Sequence, residues 1–238
     1  MKFLEQYYQY INAKTVSVNS EQGSAFAKNV ADDFNPIHDS DSKRFCVPGD
    51  LLFAIALRRF GIHQSMEFHF LDLVAAETEL IYPSEVSQQQ EFVVNDKGKK
   101  VLGLSLHGDC SEREAKIEQL IRNYVAFSGQ NFPHILLPLM QQHNVMINPK
   151  RPLVIYQSMS LQFETLDFDD LNIVLEETSL LVDGKRGDAA LHFSLGSNGV
   201  AIGTGVKKLV LSGLRPYDDD AVTDMCERYF ESKEKGKS

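Results

Sequence analysis

Pro48-Gly49-Asp50-Leu51-Leu52 and Pro133-His134-Ile135-Leu136-Leu137 are two related pentapeptides, 85 positions apart in the 238-residue chain. Internal similarity at a fixed offset is the signature of a repeated structural unit. Each pentapeptide opens an apolar run, Leu51 to Phe60 and Ile135 to Gln142, with proline at the start, where its missing N–H costs a helix nothing. Both runs read as buried helices. Pro138 inside the second predicts a kink or a break.

Working outward, an amphipathic helix precedes each run. In the second half Ile117, Leu120, Ile121, Tyr124 and Val125 fall on one helical face, and Glu21 to Val30 holds the matching place in the first. Strands follow. Met66 to Val74 alternates in part, and Phe92 to Asn95 and Val101 to His107 flank the turn Asp96-Lys97-Gly98-Lys99. In the second half Leu153 to Phe163, Ile173 to Val182 and Ala189 to Leu195 are strand-like, with a turn at Asp183 to Gly187. Val200 to Leu211 is a last strand with no evident counterpart in the first half, unless it stands in for Thr15 to Asn19.

A helix that is apolar all round must be covered on every side. A curved antiparallel sheet around each buried helix is the economical cover. The expected class is therefore α+β: a double hotdog of two curved antiparallel sheets, each wrapping a central helix. Residues 1–110 and 111–216 form the halves, followed by 217–238 as a C-terminal helix and tail. No Gly/Ser/Pro-rich linker separates the halves, so they are expected to pack against each other. In the tail, Asp218-Asp219-Asp220 suits a helix N-terminus. Ala221, Val222, Met225, Cys226 and Tyr229 form an apolar stripe, and Glu231 to Ser238 is charged and expected to fray.

The net charge of -9 argues against nucleic acid, whose phosphates require a clustered basic face. Lys43, Arg44, Arg58 and Arg59 are a candidate local patch for an acidic carrier, or ordinary solvated charges. No segment is apolar for long enough to span a bilayer, and the N-terminus lacks a signal-peptide core, so the expected location is cytoplasmic. Three distant cysteines, Cys46, Cys110 and Cys226, fit a reducing compartment and argue against a disulfide scaffold or a zinc site. No metal or cofactor is expected. A fused pair of such units can satisfy its own pairing as a monomer, with a homodimer as the alternative.

Chemistry concentrates in Ala31-Asp32-Asp33-Phe34-Asn35-Pro36-Ile37-His38, just before Val47-Pro48-Gly49-Asp50. Asn-Pro favours a turn that can bring Asp33 and His38 to one side. A carboxylate and an imidazole can hold one water and move its proton. Gly49, at a helix start, offers a free backbone N–H to an oxygen that gains negative charge. Asp50 beside it would oppose such charge unless it points outward and caps the helix. Ser128-Gly129 lacks the flanks of a nucleophile elbow, and Cys46, with no paired base, reads as inert packing.

Asp33, Asn35, Pro36, Ile37 and His38 resemble, position for position, the Asp-x-Asn-Pro-(Ile/Leu)-His signature of (R)-specific enoyl-CoA hydratases in the MaoC-like group. The resemblance covers roughly the first quarter of the chain. It implies that Asp33 and His38 are the catalytic pair, that Asn35 and Gly49 contact substrate, and that the partner is acyl-CoA or an acyl-carrier thioester. The implied reaction is hydration of a trans-2-enoyl thioester. Here the central helix starts with Pro48-Gly49 instead of the group's usual His-Gly, and the signature sits in the first half, not the second. A non-catalytic acyl-thioester binder and an acyl-CoA thioesterase are the alternative readings.

Overall fold

Residues 1–87 and 89–237 are described by the computed structural model. In order, the elements are α1 (Lys2–Glu5), β1 (Gln9–Tyr10), β2 (Thr15–Ser17), α2 (Ser20–Asn29), α3 (Gly49–Phe60), β3 (Ile62–Phe70), β4 (Leu80–Ile81), β5 (Glu91–Asn95) and β6 (Lys100–Ser111). There follow α4 (Glu114–Gly129), α5 (Leu136–Gln142), β7 (Val145–Met146), β8 (Val154–Phe163), β9 (Leu171–Asp183), β10 (Arg186–Ser197), β11 (Val200–Ser212), β12 (Arg215–Pro216) and α6 (Asp219–Lys237). The architecture is mixed, with several helices and one large antiparallel sheet.

Local chemistry sets the helix ends. Asn19 Oδ1 accepts from the Gln22 amide at 2.7 Å, and Gln22 Oε1 accepts from the Asn19 amide at 3.1 Å, a reciprocal capping box that starts α2. Helix α3 begins after Pro48 and stops at Gly61, whose φ of +77° few other residues tolerate. Between them Leu51 to Leu57 are all buried, as a run apolar on every face requires. Burying a leucine or phenylalanine side chain contributes about 2 kcal/mol, so this helix anchors the larger core.

The sheet has ten strands in the order β1-β2-β4-β5-β6-β3-β8-β11-β10-β9. Strands β3 and β8 join its two halves, with Ser65 opposite Gln162 and His69 opposite Ser158. Outward from this seam, β3-β6-β5-β4 lies on one side and β8-β11-β10-β9 on the other. Each set shows its chain-order strands in the spatial order first, last, third, second. This corrects the strand pairing read from the sequence. Strand β11 is the counterpart of β6, and the turn at Asn198-Gly199, both with positive φ, corresponds to the Asp96–Lys99 turn. Turn 183–187 belongs one hairpin earlier. Strand β2 instead extends the first half's edge beside β4.

Three further expectations change. Strand β3 ends at Phe70; Leu71 to Val74 leave the ladder and wall a cavity described below. Pro138 does not break its helix, because it is the third residue of α5, where no intrahelical N–H is required. The irregular stretch precedes it, at Asn131–Ile135, where Phe132 is extended. Finally, 231–237 is not frayed. Asp218 Oδ1 accepts from the Ala221 amide at 2.9 Å at the helix start. Val222, Met225 and Tyr229 are buried, Lys233 Nζ pairs with Asp32 Oδ2 at 2.5 Å, and Gly236 lies against the Phe34 ring. Ser238 falls outside the described residues. Among the described residues no helix is long and apolar enough to cross a membrane.

Gly129, the last residue of α4, touches the backbone of the site loop. A Cβ there would run into the carbonyl oxygen of Ala31, two residues before Asp33. Backbone yields less readily than a side-chain tip. Gly129→Ala is therefore expected to cost about 2 kcal/mol, read as a fall of roughly 5 °C in the unfolding midpoint. An unchanged midpoint would show that the two segments separate freely.

Candidate active site

The site loop leaves α2 through Asp32, whose φ of +53° turns the chain, and the Asp33 amide donates back to the Ala27 carbonyl at 2.9 Å. Asp33 Oδ1 then accepts from the Asn35 amide at 2.9 Å, and Asn35 Oδ1 from the Ile37 amide at 3.2 Å. These successive Asx turns lead into a single 3₁₀ turn, Pro36–His38, with proline at its favoured first position. The expected convergence is present: Asp33 Oδ2 stands 3.9 Å from His38 Nε2. Both side chains are largely shielded, His38 at 14% and Asp33 at 28% of full exposure.

The far side of the imidazole is fixed as well. His38 Nδ1 lies 2.7 Å from the Cys46 carbonyl oxygen. A carbonyl only accepts, so Nδ1 carries the hydrogen and, in the neutral ring, Nε2 presents its lone pair. Neutral Nε2 and the Asp33 carboxylate are then two acceptors 3.9 Å apart, too far for a direct hydrogen bond and suited to a shared water. Cys46 is buried, which pushes its thiol up to about 11, as expected of inert packing.

Asp33, Asn35, His38 and Gly49 line one cavity of about 550 Å³. Its walls are mainly apolar, including Phe70, Val74, Leu136, Ile147 and Met225. Gly49 opens α3 and so lacks an intrahelical acceptor for its N–H. A side chain there would press Tyr156 Cδ1 at 3.0 Å and Phe70 Cε1 at 3.1 Å, which form a stacked pair. Any larger residue would make those rings shift by a few tenths of an ångström, so glycine suits the packing whatever its N–H does. Asn35 reaches the cavity, although its side-chain oxygen is engaged by the turn.

Of the two alternatives for Asp50, the structure shows the inward one: it lines the cavity and does not cap the helix. Its Oδ2 accepts from Ser128 Oγ at 2.5 Å, and Ser128 in turn accepts from Lys207 Nζ. Asp50 Oδ1 is buried with no hydrogen bond among the described residues. Ser128 and Lys207, 1% and 2% exposed, also line the cavity, with Lys207 Nζ 4.3 Å from the centre of the Tyr156 ring. Burial pushes the Asp50 carboxyl up and the Lys207 ammonium down, while their mutual attraction opposes both shifts. Lys207 was legible but missed: it shares the inward face of β11 with Gly205, Leu209 and Leu211, an anomalous place for a cation. Ser128 carried no comparable signal.

The supposed basic patch does not form. Arg58 and Arg59 are at the opposite end of α3 from Gly49, about 15 Å along the axis. Arg59 there donates to the Ala13 carbonyl and lies over the Tyr82 ring. Lys43 and Arg44 are exposed loop residues.

Residues 2–220 match the model of a family described as "Protein of unknown function (DUF3581)". The chain belongs to the DUF3581 family. No curated protein matches the DUF3581 chain described here. Among solved structures it is similar to a tesB protein of Mycobacterium avium subsp. paratuberculosis, at 9% identity over 87% of this chain and 96% of that one, TM-score 0.45. It is also similar to a conserved protein of unknown function with a hot dog fold from Alicyclobacillus acidocaldarius, at 10% identity over 91% and 99%, TM-score 0.46. A third likeness is to the full-length peroxisomal multifunctional enzyme type 2 of Drosophila melanogaster, at 10% identity over 82% of this chain and 47% of that one, TM-score 0.42.

Removing one end of the buried polar chain strands the other. Lys207→Met and Asp50→Ala are each expected to destabilise by about 2 kcal/mol in chemical denaturation. The double variant should fall well short of the sum, since each substitution removes the partner that the other stranded. Additive losses would mean that the two groups do not interact.

Proposed function

We propose that this DUF3581 protein is a double hotdog, with halves at 1–110 and 111–216 and a docked C-terminal helix in 217–238, that adds water to a trans-2-enoyl thioester. One observation carries the reading: Asp33 Oδ2 and the free Nε2 of His38 face one another across 3.9 Å on the wall of an apolar cavity that begins at the N-terminus of α3. The matching strand order about the β3–β8 seam supports the doubled fold.

A water in the gap donates one hydrogen to Nε2 and the other to Asp33 Oδ2, leaving its lone pairs toward the cavity. Its oxygen bonds to C3 of the enoyl group as Nε2 takes a proton, and the C2=C3 electron pair shifts toward the thioester oxygen. The Gly49 N–H, at the positive end of α3, stabilises that oxygen. The imidazolium then returns the proton to C2, giving the 3-hydroxyacyl thioester. Asp33 holds the water and stabilises the imidazolium. The apolar walls take the acyl chain, and the thiol side is coenzyme A or a carrier's pantetheine.

Asp50, a second carboxylate on the same wall, favours thioester hydrolysis as the second reading. The products separate the two: loss of the conjugated enoyl thioester without free thiol marks hydration, and free thiol marks hydrolysis. Asp33→Asn and His38→Gln are each expected to lower kcat for trans-2-enoyl-CoA hydration at least about a hundredfold, with the unfolding midpoint retained. Full activity in either variant would refute the assignment.

A further inference from the structure

The proposed reaction leaves the most anomalous group in the cavity wall unused. A lysine 2% exposed on an otherwise apolar strand face is costly, and this one is held in a directed chain of hydrogen bonds. As an ammonium Lys207 can only donate, so it donates to Ser128 Oγ. The Ser128 hydroxyl hydrogen therefore goes to Asp50 Oδ2 at 2.5 Å. Oδ2 is thereby fixed as an acceptor, and any proton on Asp50 must sit on Oδ1, the oxygen that has no partner among the described residues. Asp50 directly follows Gly49, whose N–H receives the thioester oxygen in the reading above.

We propose that Asp50, oriented by Ser128 and Lys207, is a catalytic hydrogen-bond donor that presents an Oδ1–H to the thioester oxygen of the substrate. This rests on the hydration reading and deepens it. It turns the apparent liability of a carboxylate beside the developing enolate into a second donor. As the water oxygen bonds to C3 and electron density moves onto the thioester oxygen, the Oδ1 proton strengthens its hydrogen bond to that oxygen. When C2 takes its proton from the imidazolium, the electron pair returns to C2 and Asp50 keeps its own proton. Burial raises the Asp50 carboxyl, which favours its proton. The groups that bear on it are Asp33 and His38 from the site loop, Tyr124 from α4, Tyr156 from β8 and Lys207 from β11. Of these, Asp33 raises the Asp50 carboxyl further, and His38 and Lys207 lower it.

The test compares Asp50→Asn with Asp50→Ala in hydration of trans-2-enoyl-CoA across a pH series, alongside infrared spectra of the substrate-free proteins. Asparagine can accept from Ser128 with its oxygen and still offer an N–H, so it should lose about tenfold in kcat, against about a hundredfold or more for alanine. The wild-type rate should decline as the Asp50 proton is lost at high pH, and that limb should be absent in Asp50→Asn. Wild type should show the carbonyl stretch of a protonated carboxylic acid near neutrality that Asp50→Asn lacks. Equal losses in the two variants, an unchanged high-pH limb, or no such band would each overturn the proposal. If instead wild type shows the band but does not hydrate the substrate, the hydration reading has failed and the catalytic role of Asp50 fails with it; the placement of the proton stands.

Discussion

The hydrogen bond from His38 Nδ1 to the Cys46 carbonyl is the constraint on which the site depends. It sets the tautomer, aims Nε2 at Asp33 and joins two segments eight residues apart. Those segments are anchored independently: the Cys46 amide donates to the Ile37 carbonyl at 3.0 Å, and the Val47 amide to the Val74 carbonyl at 2.8 Å. An imidazole free to rotate would lose orientational entropy on every turnover. Here that ordering is complete before substrate arrives, which is the advantage of a preorganised site. Later elements of the chain contribute by contact, since the end of α4 at Gly129 abuts the Ala31 carbonyl and α6 closes over Phe34 and Asp32.

The cavity is asymmetric in its chemistry. One polar focus, Asp33 with His38, is partly open; in the other, Ser128 and Lys207 are closed in beside Asp50. Ionisable groups in a largely apolar chamber interact more strongly than they would in water. They also cost desolvation energy that a hydrophobic core would avoid. The sheet supplies the rigidity for holding them. Lys207 sits on a strand paired on both sides, and Asp50 on a helix buried over most of its length.

Much of the fold was legible because its signals are local. Glycine and proline bracket α3, the Ile117–Val125 face follows helical spacing, and the Asn-Pro turn writes the geometry of Asp33 and His38 into six consecutive residues. What the sequence hid is non-local. Strand order cannot be read from composition, so the counterpart of Val200–Leu211 stays hidden until the sheet order shows it. The tail looked frayed because Lys233 finds Asp32 about 200 positions away, a pairing no window can contain. The orientation of Asp50 likewise depends on Ser128 and Lys207, which meet only after the sheet has formed. Lys207 alone announced itself, as a charge at an inward position of an alternating strand.

The most direct test is a crystal structure of the Asp33→Asn variant soaked with a trans-2-enoyl-CoA. C3 of the acyl chain should lie beside the gap between residue 33 and Nε2 of His38, with the thioester oxygen at the Gly49 N–H. An acyl group bound elsewhere, or an Nε2 turned away from it, would rule out Asp33 and His38 as the pair that activates water.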